Sequence, residues 1–237
     1  MTSFANSRVL VIGGSSGIGL AVAEAAVAAD AVVTIASRSR SKLDEALKVV
    51  GSKSQAAVLD TMDENAVETF FSSNEPFDHI IVSAAQTPTG PVRKLALADA
   101  QRAMESKFWG AYRVARFARF TERGSLTLVS GFLSERPSPT SVLQGAINAA
   151  LESLARGLAL ELSPVRVNTV SPGLINTPLW SKMENAAKDA MFAKAAGNLP
   201  AKRIGQPSDI ANAVLFLMAT PFATGSNVRV DGGGAIA

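Results

Sequence analysis

The chain has no cysteine, one histidine and one tyrosine among its 237 residues. Without cysteine, disulfides, thiolate nucleophiles and cysteine-held metals are excluded. With His79 as the sole histidine, a multi-histidine metal centre is excluded as well. Charge is sparse: 18% of residues are Asp, Glu, Lys or Arg, and the formal net charge is +3. No dense Lys/Arg run tracks a phosphate backbone, so nucleic acid is not an expected partner. No apolar run reaches bilayer-spanning length. Met1 to Val11 also lacks the basic stretch followed by an apolar segment that marks a secretory signal. The expectation is a cytoplasmic protein with no membrane partner.

What remains is a globular composition, 47% hydrophobic, in a chain of the size of one large α/β domain. Such a domain buries roughly 70% of its unfolded surface or more. Apolar runs at Arg8–Ile12, Ala31–Ala36, Ala56–Leu59, His79–Val82, Leu126–Val129, Val165–Val170 and Asn227–Val230 read as seven strands. They are nearly continuous rather than alternating, as strands covered on both faces are. Helical spacing fills the intervals, including long patterns over 98–120 and 140–162, and Asp63 reads as a helix N-cap. This alternation predicts a Rossmann-type doubly wound parallel sheet in one domain, residues 1–237. The segment 178–200 is the least regular and reads as a mobile helical flap on the substrate side.

Gly13-Gly14-Ser15-Ser16-Gly17-Ile18-Gly19 lies between the first strand and the first helix. A pyrophosphate needs exposed N–H groups, a helix N-terminus and no Cβ in its way. Ser15, Ser16, Ile18 and the three glycines at 13, 17 and 19 supply that turn in a confirming context. Gly13-x-Ser15-x-Gly17 also fits a nucleophile elbow. That reading needs a histidine at the same end of the sheet, whereas His79 starts a strand at the opposite end. After the second strand come Ser37-Arg38-Ser39-Arg40. An acid here would bind the free ribose hydroxyls of NAD. Ser37 and Arg38 instead suit a 2′-phosphate, so NADP(H) is the expected cofactor.

With these motifs in order, nearly the whole chain resembles the short-chain dehydrogenase/reductase family. The resemblance implies that Asp60 and Thr61 meet the adenine and that Ser83, Ala84 and Ala85 line the cofactor. It also implies that Pro172, Gly173, Ile175 and Thr177 wrap the nicotinamide. Thr224-Gly225 and Val230-Asp231-Gly232-Gly233 match the family's C-terminal strand. The reaction half departs from the pattern. The family's Tyr-x-x-x-Lys pair falls at Gln144 and Asn148, its serine at Gly131 beside Ser130, and its fourth-helix asparagine at Lys107. Divergent members with a similar Lys-Phe-Trp-Gly segment look like NADPH binders.

The candidate reaction residues are therefore Lys107, Ser130, Gln144 and Asn148. Lys107 is expected to replace the cation missing at Asn148, and Ser130 to bond a substrate carbonyl. Gln144 and Asn148 are expected to orient substrate and ribose. The competing readings are a solvated or interface lysine and a serine satisfied by backbone. Glu135 and Arg136 read as solvated charges on the entry loop, and Tyr112 as packing or interface. Trp180, Met183 and Met191 could close over an apolar substrate.

The resulting expectation is an NADP(H)-dependent oxidoreductase with an atypical site, acting on a small carbonyl, alcohol or imine. A non-redox NADP(H) sensor or scaffold, and a non-redox cyclase or eliminase, stay open. Resemblance further implies a homodimer or homotetramer, built on the apolar faces of 111–120 and 149–160.

Overall fold

The computed structural model describes residues 3–237. Seven strands form one parallel sheet: β1 (Arg8–Ile12), β2 (Val32–Ser37), β3 (Ser54–Val58), β4 (Phe77–Val82), β5 (Phe120–Val129), β6 (Arg166–Pro172) and β7 (Asn227–Val230). Their spatial order is β3-β2-β1-β4-β5-β6-β7, so the winding reverses between β1 and β4, where ligands bind in open α/β sheets. The helices are α1 (Gly17–Ala28), α2 (Arg40–Val50), α3 (Glu64–Ser72), α4 (Leu97–Met104), α5 (Gly110–Phe117), α6 (Val142–Glu161), α7 (Asn185–Asn198) and α8 (Pro207–Ala219). A π-turn, Glu105–Trp109, joins α4 to α5.

Successive side chains on a strand point to opposite faces, and the core divides accordingly. Val9 and Val11 of β1 join α1, α2 and α8 on one face. Leu10 and Ile12 join α3, α5 and α6 on the other. Asp63 caps α3 as expected, accepting from the Ala66 N–H at 3.0 Å. Ser39 caps α2 through the N–H of Lys42.

Two expectations are corrected. The helical pattern over 98–120 stops at Phe117, and β5 already begins at Phe120. No Gly or Pro marks that end; pairing of Phe120 with Phe77 across the sheet decides it. The apolar faces of 111–120 and 149–160, in turn, largely serve the chain's own core: Ala111, Val114, Leu151 and Ala155 are buried. The large apolar side chains left exposed on these faces are Tyr112 and Leu160, with Trp109 beside them on the π-turn. The 178–200 segment is helical: a short 3₁₀ turn, Pro178–Trp180, and then α7, none of whose residues is buried. Among the described residues no helix is long and apolar enough to cross a membrane, and no His/Cys/Asp/Glu cluster could hold a metal ion.

Candidate active site at the carboxyl edge of the sheet

Parallel registers bring the carboxyl ends of β1, β4, β5 and β6 into one row. Ile12 pairs with Val82, Val82 with Leu128, and Val129 with Val170. The residues that follow, Gly13, Ser83, Ser130 and the Ser171–Pro172 pair, therefore share one edge. Two sub-sites lie along it.

The first is made of backbone. Gly13 adopts φ +89° and its N–H donates to the Ala36 carbonyl at 2.8 Å. A Cβ there would stand 2.5 Å from the Ala84 nitrogen, so the turn touches the end of β4 directly. Gly17 lies under Thr177, whose Cβ would be 3.4 Å from a side chain at 17. Ser16 is the N-cap of α1, yet its side chain makes no capping hydrogen bond. The opening of the helix, with its positive dipole end, thus faces the edge uncapped. Ser37 Oγ is buried and has no hydrogen-bond partner, and such orphaned groups call for an explanation. Arg38 reaches out to Gln86 Oε1 at 3.3 Å. An uncapped helix start, an orphaned hydroxyl and a nearby guanidinium together fit a dinucleotide with a phosphorylated ribose.

Asp60 Oδ1 accepts the Met62 N–H at 3.0 Å. Thr61 is buried, and its Oγ1 would be 2.7 Å from a Cβ on Gly110. Ser83 Oγ donates to the Ile12 carbonyl at 3.3 Å. Ala84 is half-buried and Ala85 exposed. Gly173 donates to the Val230 carbonyl at 3.0 Å, and buried Ile175 bridges to Gly205. Trp180 Nε1 donates to the Ile175 carbonyl at 3.0 Å and its ring meets Phe192 edge-on. That bond ties the 3₁₀ turn to the chain below it.

The second sub-site is made of side chains. The π-turn carries Lys107, only 8% exposed, to the end of β5. Single π-turns within α-helices are frequent at functional sites. Lys107 Nζ donates to the Ser130 carbonyl at 2.9 Å and to Asn148 Oδ1 at 2.6 Å. Burial pushes the Lys107 ammonium down to about 8, with the charge of Glu152 acting in the opposite sense. Asn148 is almost fully buried on α6. Its Nδ2 would be 2.6 Å from a Cβ on Gly131, so the amide fills the space beside that glycine. Gln144, one turn earlier on α6, is half-buried and has no side-chain hydrogen bond among the described residues.

Lys107, Ser130 and Asn148 are thus assembled in one cluster. Ser130, however, is 5% exposed, and its hydroxyl lies 2.6 Å from Glu152 Oε1 and 3.2 Å from the Asn148 carbonyl. Its single proton goes to the carboxylate, so the expected bond to a substrate carbonyl is not what this geometry offers. Its contribution is the backbone oxygen that holds Lys107. Sequence reasoning missed Glu152, which also accepts from Ser134 Oγ at 2.7 Å and Ser171 Oγ at 3.5 Å. The available signal was spacing: Glu152 follows Asn148 by four positions on one helix, and so shares its face.

The entry-loop charges Glu135 and Arg136 are exposed, and each also has a partner. Glu135 forms an ion pair with Arg229, and Arg136 donates to the Gly234 carbonyl at 2.6 Å. His79 lies inside β4 and is buried, against the expectation of a strand edge, with Nδ1 2.8 Å from Ser125 Oγ. It sits at the opposite end of the sheet from Gly13, which removes the nucleophile-elbow reading.

Comparisons with known proteins agree with this layout. A family model described as enoyl-(acyl carrier protein) reductase matches residues 13–234. The chain is 32% identical over 253 residues to the short-chain dehydrogenase/reductase ATR9 of Stachybotrys chlorohalonatus, covering 98% of each. It superimposes on a small-chain dehydrogenase solved in complex with NADPH, with TM-score 0.84, 34% identity and coverage of 98% and 100%. It also matches the NADPH-bound short-chain oxidoreductase of Pseudomonas aeruginosa PAO1 that contains an atypical catalytic centre, with TM-score 0.91, 27% identity and 98% of each chain covered. A glycine turn opening α1, a sheet of order 3-2-1-4-5-6-7 and these matches lead to one conclusion: the chain belongs to the short-chain dehydrogenase/reductase family.

Proposed function

We propose that the protein is an NADP(H)-dependent oxidoreductase with a rebuilt reaction centre, moving hydride to or from a small carbonyl, alcohol or imine. The observation that carries this reading is the burial of Lys107 at the carboxyl edge, with its ammonium held by Ser130 and Asn148. Related structures that hold NADPH, one of them with an atypical centre, support it.

In this reading Gly13, Ser15, Ser16, Gly17, Ile18 and Gly19 hold the pyrophosphate. Ser37 and Arg38 take the 2′-phosphate, and Asp60 and Thr61 the adenine. Ser83, Ala84, Ala85 and Asn148 line the ribose, and Pro172, Gly173, Ile175 and Thr177 the nicotinamide. When bound, the cofactor supplies or accepts the hydride.

The chain's own residues position the acceptor and handle the proton. An ammonium has three N–H donors; two of those on Lys107 are engaged, which leaves one for a substrate oxygen. Below about 8 the group is charged. It can stabilise an oxyanion and give up a proton as the alcohol forms, and the neutral amine takes that proton back in oxidation. Gln144 contributes a neutral donor beside it. An imine arriving as its iminium needs no proton on oxygen, which suits a centre with glutamine where the family has tyrosine. The exposed Trp109–Tyr112 face, beside Glu105 and Arg113, is read as the contact of a homodimer or homotetramer.

The test is NADPH deuterated at C4, offered with aldehydes, ketones and cyclic imines, followed by mass analysis of the products. Stereospecific deuterium transfer is expected. Saturable NADPH binding with no transfer to any acceptor would move the assignment to a non-redox binding module.

A further inference from the structure

Glu152 is a buried carboxylate that the reaction just described does not use. It is 8% exposed, on α6, and accepts hydrogen bonds from hydroxyls on three other segments. These are Ser130 at the end of β5, Ser134 in the turn after it, and Ser171 near the end of β6. Burying a carboxylate has a penalty of several kcal/mol, and a well-packed apolar side chain in its place is often neutral or better for stability. A group held this expensively, one turn below Asn148, calls for a reason beyond packing.

The connectivity supplies one. Lys107 bonds the Ser130 carbonyl, and the Ser130 hydroxyl bonds Glu152. Lys107 also bonds the Asn148 side chain, and the Ser130 hydroxyl lies 3.2 Å from the backbone carbonyl of Asn148. Ser130 is therefore the shared joint between a buried cation and a buried anion. We propose that Glu152 is a positioning residue for the reaction centre, acting through Ser130 as the buried counter-charge that keeps Lys107 protonated and aimed. The inference rests on Lys107 being the cation of the site.

Other charges are turned elsewhere. Glu105, on the same π-turn, pairs with Arg113 at a partly exposed cleft. From α6 and the end of β5, the groups meeting Lys107 are the neutral Asn148 and Ser130, and Glu152 is the charge that opposes its desolvation. An opposite charge nearby favours the protonated form of a cation.

The experiment follows the Lys107 side chain by NMR in protein labelled with lysine carrying carbon-13 at Cε, with Lys107→Met to assign the signal. Glu152→Gln keeps the shape and an acceptor oxygen but removes the charge. The Lys107 midpoint is expected to fall by about one pH unit, a tenfold loss in proton affinity, and Glu152→Asp is expected to restore most of it. A purely structural role would leave the midpoint where it is, and an unchanged midpoint in folded Glu152→Gln overturns the proposal. Should Glu152→Gln not fold, the wild-type protein still decides. The Glu152 carboxyl carbon, assigned by its loss in Glu152→Asp, is expected to inflect at the Lys107 midpoint, and a flat signal there overturns the coupling. Neither reading needs turnover, so the failure of Lys107 as the reacting cation, seen by kinetics, stays separate from the failure of Glu152 as its partner.

Discussion

The nucleotide sub-site and the reaction sub-site lie on the same sheet edge but are built from different material. The first is a turn of glycines that opens α1 without a capping side chain. The second is a cluster of buried polar side chains, Lys107, Ser130, Asn148 and Glu152, drawn from the π-turn, β5 and α6. A backbone site tolerates little change at its glycines, because a Cβ at Gly13 or Gly19 strikes main chain and Gly17 holds a positive φ. A side-chain site can be rebuilt as long as charges and hydrogen bonds are re-satisfied together. The glycine turn keeps the family pattern, whereas the resemblance implies that Lys107, Gly131, Gln144 and Asn148 replace the family's usual reaction residues.

The sharpest way to break this contrast is Lys107→Met. If the cation has moved to the π-turn, turnover is expected to fall by about 10²–10⁴, the worth of a positioned general acid. The circular dichroism spectrum should not change. Unaltered turnover would show that the cluster is structural and that the contrast is one of packing.

His79 tests whether burial of an ionisable group by itself signals function. Like Lys107 it is buried, and desolvation lowers it to about 4, opposed by Asp78 and reinforced by Arg166. The folded protein therefore binds fewer protons at this group than the unfolded chain between about 6.5 and about 4. Stability should be fully present above that window and lost as pH falls through it, by up to ~3 kcal/mol. Urea unfolding as a function of pH measures this, and His79→Gln should flatten the slope without altering turnover. A large loss of turnover would place function at the wrong end of the sheet.

Gly13→Ala probes the backbone site. Positive φ and the approach to Ala84 give an expected destabilisation of about 1–3 kcal/mol, in the range of overpacking, together with weakened NADPH binding. Denaturant midpoints and fluorescence titration read the two effects. Binding unchanged at lowered stability would uncouple the turn from the cofactor. The smallest expected effect belongs to Arg38→Ala, which should weaken NADPH by about tenfold, ~1.4 kcal/mol, and leave NADH nearly untouched. Equal losses for both would assign the 2′-phosphate to another group.

The two regions also differ in how far they can be read from the chain. Gly13, Gly17 and Gly19 announce their role because strand, turn and helix are contiguous in sequence, and the physics of the turn is local. Lys107, Ser130 and Asn148 stand out as candidates by position, but nothing local shows that the Ser130 hydroxyl points at Glu152 rather than at a substrate. Glu152 went unnoticed, since a glutamate on a 20-residue helix reads as a solvated charge. The end of the helix before β5 was misplaced for the same reason: strand pairing at Phe77–Phe120 outweighs the local propensity that would carry the helix on.

By itself the sequence determined the parallel α/β architecture, the position of the glycine turn, and the absence of thiol and multi-histidine chemistry. These depend on periodicity, on glycine's lack of a Cβ and on composition, all of which are properties of short stretches. Only the tertiary structure decided which buried groups share hydrogen bonds, that Ser130 faces Glu152, and that Lys107 reaches across to α6. Those contacts join residues 18 to 41 positions apart, and a hydrogen bond depends on distance and direction in space, to which spacing along the chain is blind.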